Sequence, residues 1–216
     1  MWSTCSSLAS QAGNRLISGW PLPLVESQVL SEEERNGLIS WANEKELWRP
    51  SARHGSGDRA GQAIEGYPWT ALLTSPHPTA TALRQWVAKT FQAPLEHVEA
   101  VRLIRYRPGE SAPQARSDAR PEDDQSLWLS GQRLLTVMLQ LNDSAGSTLF
   151  PELLEGQGLY AQVPGGNALV WPTVDAKGKP TTLAQRQALP AETERYVAVT
   201  WLRVGPAPGE LGGAPA

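Results

Sequence analysis

The feature that most constrains this chain is a change of hydrophobic period. From about residue 98 onward, Leu135, Val137, Leu139 and Leu141 alternate with Leu134, Thr136, Met138 and Gln140, and Tyr196, Ala198, Thr200 and Leu202 alternate with Val197, Val199 and Trp201. A period of two is the mark of β-strands. Shorter candidates run over Val101–Tyr106, Thr148–Phe150, Leu159–Val163 and Asn167–Trp171, separated by turn chemistry such as Pro108-Gly109, Asn142-Asp143 and Pro164-Gly165-Gly166. No internal repeat is evident.

Upstream the period is helical. Ser31-Glu32-Glu33-Glu34 has the Ser-x-x-Glu spacing that satisfies free amides at a helix start, and Leu38, Ile39 and Ala42 continue its apolar stripe. Leu83, Trp86, Val87 and Phe91 predict a second helix, with Pro78 near its entrance. Two helices followed by a run of short strands, without strand–helix alternation, predict an α+β fold in which both helices lie against an antiparallel sandwich or barrel. Residues 1–20 are Ser-rich and weakly patterned, and 205–216 (GPAPGELGGAPA) form a Gly/Pro/Ala tail. Such tails bury too little to offset their ordering entropy, so a flexible N-terminal segment, one domain over 21–204 and a disordered tail are expected.

Composition narrows the partners. A chain of 216 residues with 40% hydrophobic residues can build one real core. Its net charge of −3 and pI near 5.7 provide no basic field, which argues against nucleic acid and anionic membrane surfaces. No apolar run is long enough to span a bilayer. The start lacks the basic and apolar blocks of a secretory signal, and Cys5 is the only cysteine, so no internal disulfide forms and a cytoplasmic setting is expected.

Five blocks then occur in a telling order. They are Tyr106-x-Pro108-Gly109, Arg133 through Asn142, Gly146-Ser147-Thr148-Leu149-Phe150-Pro151, Pro164 through Trp171, and Arg195 through Arg203. Together they resemble the prolyl 4-hydroxylase group of 2-oxoglutarate/iron(II) dioxygenases. The resemblance reaches upstream through Leu22–Lys45 and Ser51-Ala52-Arg53, covering roughly residues 20 to 203. It implies a double-stranded β-helix, the jelly-roll or cupin-like core, with N-terminal helices packed on one face.

In that group two imidazoles and a carboxylate hold iron(II) on one face, leaving positions open for 2-oxoglutarate and dioxygen. The family's His-x-Asp pair falls on Ala115-Arg116-Ser117 when mapped without gaps, and counting back ten residues from Arg195 reaches Gln185 where the second His belongs. A slip of one residue gives Arg116-Ser117-Asp118, which recovers the carboxylate but places a guanidinium, lacking a lone pair, where imidazole belongs. Asp118 is therefore the one catalytic candidate. His54, His77 and His97 all lie upstream of the β core and are read as ordinary structural or surface histidines, with His54 the one near the implied substrate mouth.

Other positions keep their chemistry. The resemblance places Arg195 where a basic residue grips the far carboxylate of 2-oxoglutarate, and a guanidinium fork suits that task. It also places Tyr106, Thr148 and Trp201 in the co-substrate pocket and Arg133 at the substrate entrance. As plain residues, Tyr106 and Trp201 are equally core aromatics, Arg133 a strand-end charge, the nine tryptophans mostly anchors, and Arg116–Asp124 a solvated loop.

Three readings follow. The favoured one is a degenerate oxygenase acting as a non-redox binding or regulatory module for a peptide segment or small carboxylate, with no cofactor. The others are an active oxygenase using iron(II) and 2-oxoglutarate through an unorthodox metal site, and a redox-neutral enzyme with Asp118 as acid or base.

Overall fold

The computed structural model describes residues 16–17, 20–51, 68–73, 76–112 and 114–207. Its strands are β1 (Leu16–Ile17), β2 (Trp20–Pro21), β3 (Leu24–Glu26), β4 (Arg49–Pro50), β5 (Trp69–Leu72), β6 (Arg102–Tyr106), β7 (Arg133–Gln140), β8 (Thr148–Phe150), β9 (Leu159–Ala161), β10 (Ala168–Pro172), β11 (Gln187–Ala188) and β12 (Arg195–Arg203). Its helices are α1 (Glu32–Glu44), α2 (Pro78–Thr90) and the short α3 (Ser126–Ser130). The predicted α+β architecture is the one observed. The order β3-β10-β7-β12-β6-β5-β4 makes a seven-stranded sheet, and β11-β8-β9 make a three-stranded one, with antiparallel pairing throughout.

Both long helices start as their sequences dictate. The Ser31 hydroxyl accepts from the Glu34 amide at 3.3 Å while the Glu34 carboxylate accepts from the Ser31 amide at 2.8 Å, a complete capping box. At α2, Pro78 takes the first position and His77 Nδ1 accepts from the Thr79 amide at 3.2 Å. That bond and a ring contact with Trp41 at 4.7 Å give His77 a structural role, and partial burial pushes its pKa down toward the neutral, accepting form. His97 ends a single 3-10 turn, Leu95–His97.

Alternation then sorts each central strand between two cores. Leu103 of β6, Leu135, Val137 and Leu139 of β7, Val170 of β10 and Ala198 and Leu202 of β12 pack with Leu38 and Ala42 of α1 and Leu83 and Val87 of α2. The intervening Ile104, Tyr106, Met138, Leu169, Trp171, Val197, Val199 and Trp201 face the small sheet, where Phe150 and Ala188 complete a second core. Helices thus cover one face of the large sheet, and the other face closes into the interior of the β sandwich.

Several short elements escaped the periodic signal. β3, β5 and β11 are two to four residues long, too short to show alternation, and the strand expected over 159–163 ends at Ala161. At the C-terminal side, the Gly205 amide still donates to the Ser130 carbonyl at 2.9 Å and Ala207 is buried, so the body holds the chain three residues into the expected tail. Residues 208–216, most of the N-terminal segment and His54 lie outside the described residues.

Candidate functional site

The second core contains an unusual number of cations. Arg195 opens β12 opposite Tyr106 of β6 and is 1% exposed. Its Nε donates to Gln140 Oε1 at 3.1 Å, one terminal nitrogen to the Ser147 carbonyl at 2.9 Å, and the other to the Thr148 hydroxyl at 3.1 Å, with the Tyr106 ring 5.8 Å away. All three acceptors are neutral. Five N–H groups set against these three bonds and a longer one from the same nitrogen as Thr148 to Met138 Sδ at 3.9 Å leave two N–H groups not held by oxygen, and no ion pair joins Arg195 to a carboxylate among the described residues. Burial pulls its pKa down, and the nearby Arg186 adds to that. Gly146 makes room for this side chain, since a Cβ there would meet Arg195 Cδ at 2.6 Å.

A second guanidinium is fully paired. Arg186 Nε and Nη2 donate to the two oxygens of Asp118 at 2.7 and 3.0 Å, and the Thr136 hydroxyl adds a third donor at 3.2 Å. Residue exposures of 2% and 7% make this a buried bidentate ion pair, and the Arg186 guanidinium also lies 5.5 Å from the Trp171 ring. Burial alone would raise the Asp118 pKa, but Arg186, with Arg133 and Arg116 behind it, outweighs burial and holds the carboxyl below its ordinary value. The two partners meet because Arg116 and Arg186 form an antiparallel bridge, each amide donating to the other's carbonyl at 2.9 and 3.0 Å.

At the far end of β12 a third network forms. Glu99 accepts from Arg133 Nε at 2.7 Å and Nη2 at 2.6 Å, and from Arg203 Nη1 at 3.0 Å. Burial raises the Glu99 pKa, and the two guanidiniums more than reverse that. Arg133 also lies 3.7 Å from the centre of the Trp201 ring.

The residues singled out from sequence therefore separate. Tyr106, Thr148 and Arg195 come together, while Trp201 lies toward the opposite end of β12 beside Arg133. Arg133 is not a free strand-end charge but half of a buried bidentate pair. Asp118 is not on a solvated loop, because Arg186 draws it inside. Ala115, Ser117 and Gln185 are only partly buried, and the buried side chains stand one residue further along in both segments. Sequence reasoning missed Arg186, Gln140, Glu99 and Arg203. Gln140 was legible as the next interior residue after Met138; Arg186 was hidden by fixing the register on Gln185.

The donor set bears on metal chemistry. Among the described residues no group of three His, Cys, Asp or Glu side chains is placed to hold a metal ion, and both oxygens of Asp118 are taken by a guanidinium. A facial-triad iron(II) centre takes two imidazoles and a carboxylate, and among the described residues that set is not assembled.

No protein-family model and no curated protein matches the chain. Solved structures do. A viral collagen prolyl hydroxylase from Paramecium bursaria Chlorella virus-1, as its 2OG complex, is 19% identical with a TM-score of 0.63 over 84% of this chain and 94% of its own. A Pseudomonas putida prolyl-4-hydroxylase is 16% identical with a TM-score of 0.58 over 94% of this chain and 98% of its own. A Trichoplax adhaerens prolyl hydroxylase, in complex with a hypoxia inducible factor peptide fragment, is 10% identical with a TM-score of 0.61 over 94% of this chain and 88% of its own. Identities this low speak for architecture alone, and the fold of this chain matches the double-stranded β-helix of the prolyl hydroxylase type of 2-oxoglutarate oxygenase.

Proposed function

We propose that this chain is a non-redox pseudo-oxygenase, a binding module that keeps the carboxylate anchor of its fold and has given up the metal. One observation carries the reading: Arg186 occupies both oxygens of Asp118, while the neighbouring Arg195 is a buried guanidinium surrounded by neutral acceptors. The first arrangement replaces a metal's charge with an internal cation. The second calls for an anion, because a buried charge without a counter-ion is costly and a carboxylate can use the spare N–H groups bidentately. The ligand class is a small carboxylic acid or a peptide segment that presents a carboxylate. An acid–base role for Asp118 fits less well, since a carboxyl held ionised by a bidentate guanidinium is a poor proton donor.

The test is a calorimetric titration of the full chain with 2-oxoglutarate and with succinate, with and without anaerobic iron(II). Binding without metal is expected, with at least tenfold weakening in Arg195→Met, and without stoichiometric iron uptake or a visible metal-to-ligand absorption band. Appearance of that band in the unmodified protein would overturn the proposal. Arg116→His combined with Arg186→His, which frees Asp118 and offers two imidazoles, is expected to gain metal affinity.

A further inference from the structure

Arg102 presents a charge that nothing described so far uses. It begins β6 on the same side as Ile104 and Tyr106, opposite Val199 of β12, and its guanidinium lies 5.5 Å from the centre of the Trp201 ring. The side chain is partly buried, yet among the described residues no hydrogen bond or ion pair is made by it. The carboxylate whose charge acts on it is Glu99, whose two oxygens are already held by Arg133 and Arg203. Its other charged neighbours are Arg133, Arg116 and Arg120, and burial first, then these like charges against the opposing pull of Glu99, lowers the Arg102 pKa. An aromatic face softens a cation's burial but does not neutralise it.

A second, independent observation lies in the neutral donors beside it. Among the described residues the indole Nε1 of Trp201, 3% exposed, and of Trp171, fully buried, have no hydrogen-bond partner, and neither has the guanidinium Nε of Arg120. Trp171 and Trp201 both pair with Thr136 of β7, so they form one row across three adjacent strands. Orphaned buried donors are rare in folded proteins, and each costs free energy until something with lone pairs arrives. The unsatisfied nitrogens here are donors only, and the one other unpartnered group at this end, the Ser130 hydroxyl beside Arg203, can also donate, so a partner with lone pairs fits them better than a cation. Water supplies lone pairs but no charge.

We infer that this end of the barrel is a second oxyanion-binding site, separate from Arg195, in which Arg102 and the Trp201 indole N–H hold a carboxylate or phosphate group. A planar oxyanion matches a guanidinium fork and has lone pairs left for an indole donor. The two sites are distinct stations along β6 and β12. Arg102 pairs with Val199 and Arg195 with Tyr106, so four residues separate them on each strand, a backbone distance of about 13 Å. This inference does not rest on the proposal for Arg195, and either can fail alone.

Indole N–H resonances of the full chain, assigned by Trp201→Phe and Trp171→Phe, provide the readout. Titration with inorganic phosphate, and separately with acetate, is expected to move the Trp201 signal saturably, and the tighter of the two identifies the oxyanion preferred. Arg102→Gln is expected to weaken that response at least tenfold, Arg102→Lys less so, and Arg195→Met to leave it within twofold. Melting curves establish that each variant is folded; should Arg102→Gln unfold, Arg102→Lys decides by the same criterion of weakened response. A Trp201 signal that does not saturate, or one that responds equally in folded Arg102 variants, overturns the site.

Discussion

The two faces of the seven-stranded sheet are written by alternate residues of the same strands, yet they solve opposite problems. Under α1 and α2 the face is mainly apolar, with Leu38, Leu83, Leu103, Val137 and Leu139 all fully buried and the Thr200 hydroxyl satisfied by the Glu99 carbonyl. The interior face carries Arg102, Arg133, Arg195 and Arg203, with Arg186 entering from the segment before β11, against the buried carboxylates Glu99 and Asp118. Burial of hydrocarbon is favourable without conditions of geometry. Burial of charge is tolerated only where a partner is placed for it. The helix face can therefore be read as stabilising mass, and the interior as a set of charges whose pairing, or lack of it, determines what the molecule can bind.

Breaking the buried pair should give the largest effect. Asp118→Ala strands Arg186 without a counter-ion and is expected to cost about 3–5 kcal/mol in chemical denaturation, whereas Asp118→Leu with Arg186→Met should fall close to the parent stability. Equal losses in the single and double variants would show that packing, not charge, dominates the interior. On the helix face, Leu83→Ala removes a fully buried side chain and is expected to cost about 2–5 kcal/mol in the same measurement, with carboxylate affinity changed less than twofold. A matching loss of affinity would mean that the two faces are not independent.

Acid sharpens the contrast more gently. Asp118 and Glu99 both have pKa values depressed below their ordinary ones, so their stabilising contribution is complete above about pH 5. It is lost as pH falls through the folded values, below the ordinary Asp and Glu pKa values of about 3.9 and 4.3. The double apolar variant lacks Asp118 and should lose stability less steeply, by at most about 1.4 kcal/mol per pH unit. Coincident acid profiles would remove Asp118 from the list of stabilising carboxylates.

Much of the fold was legible because its signals are local. The capping box at Ser31 and Glu34, Pro78 at the start of α2 and the alternation from Leu134 to Leu141 each depend on residues a few positions apart. The site was legible only in part. Arg195, Tyr106 and Thr148, which the resemblance put in one pocket, lie together on β12, β6 and β8. The segments at 115–118 and 185–188 have no such pattern, and a slip of one residue exchanges inward and outward side chains. There the buried pair is Asp118 with Arg186, while Ala115, Ser117 and Gln185 are only partly buried.

The amino-acid sequence by itself determined the elements, the two-faced sheet and the residue types available inside it, because periodicity and capping act over one or two turns or strand repeats. Only the tertiary structure decided which charges met. Asp118 and Arg186 are 68 residues apart, Glu99 and Arg133 34, and Glu99 and Arg203 104. Closure of the barrel selects those partners, and by the same act leaves Arg195 and Arg102 without an ion pair among the described residues. Ion pairing is a property of distance in space, and distance in space is what a strand pattern does not contain.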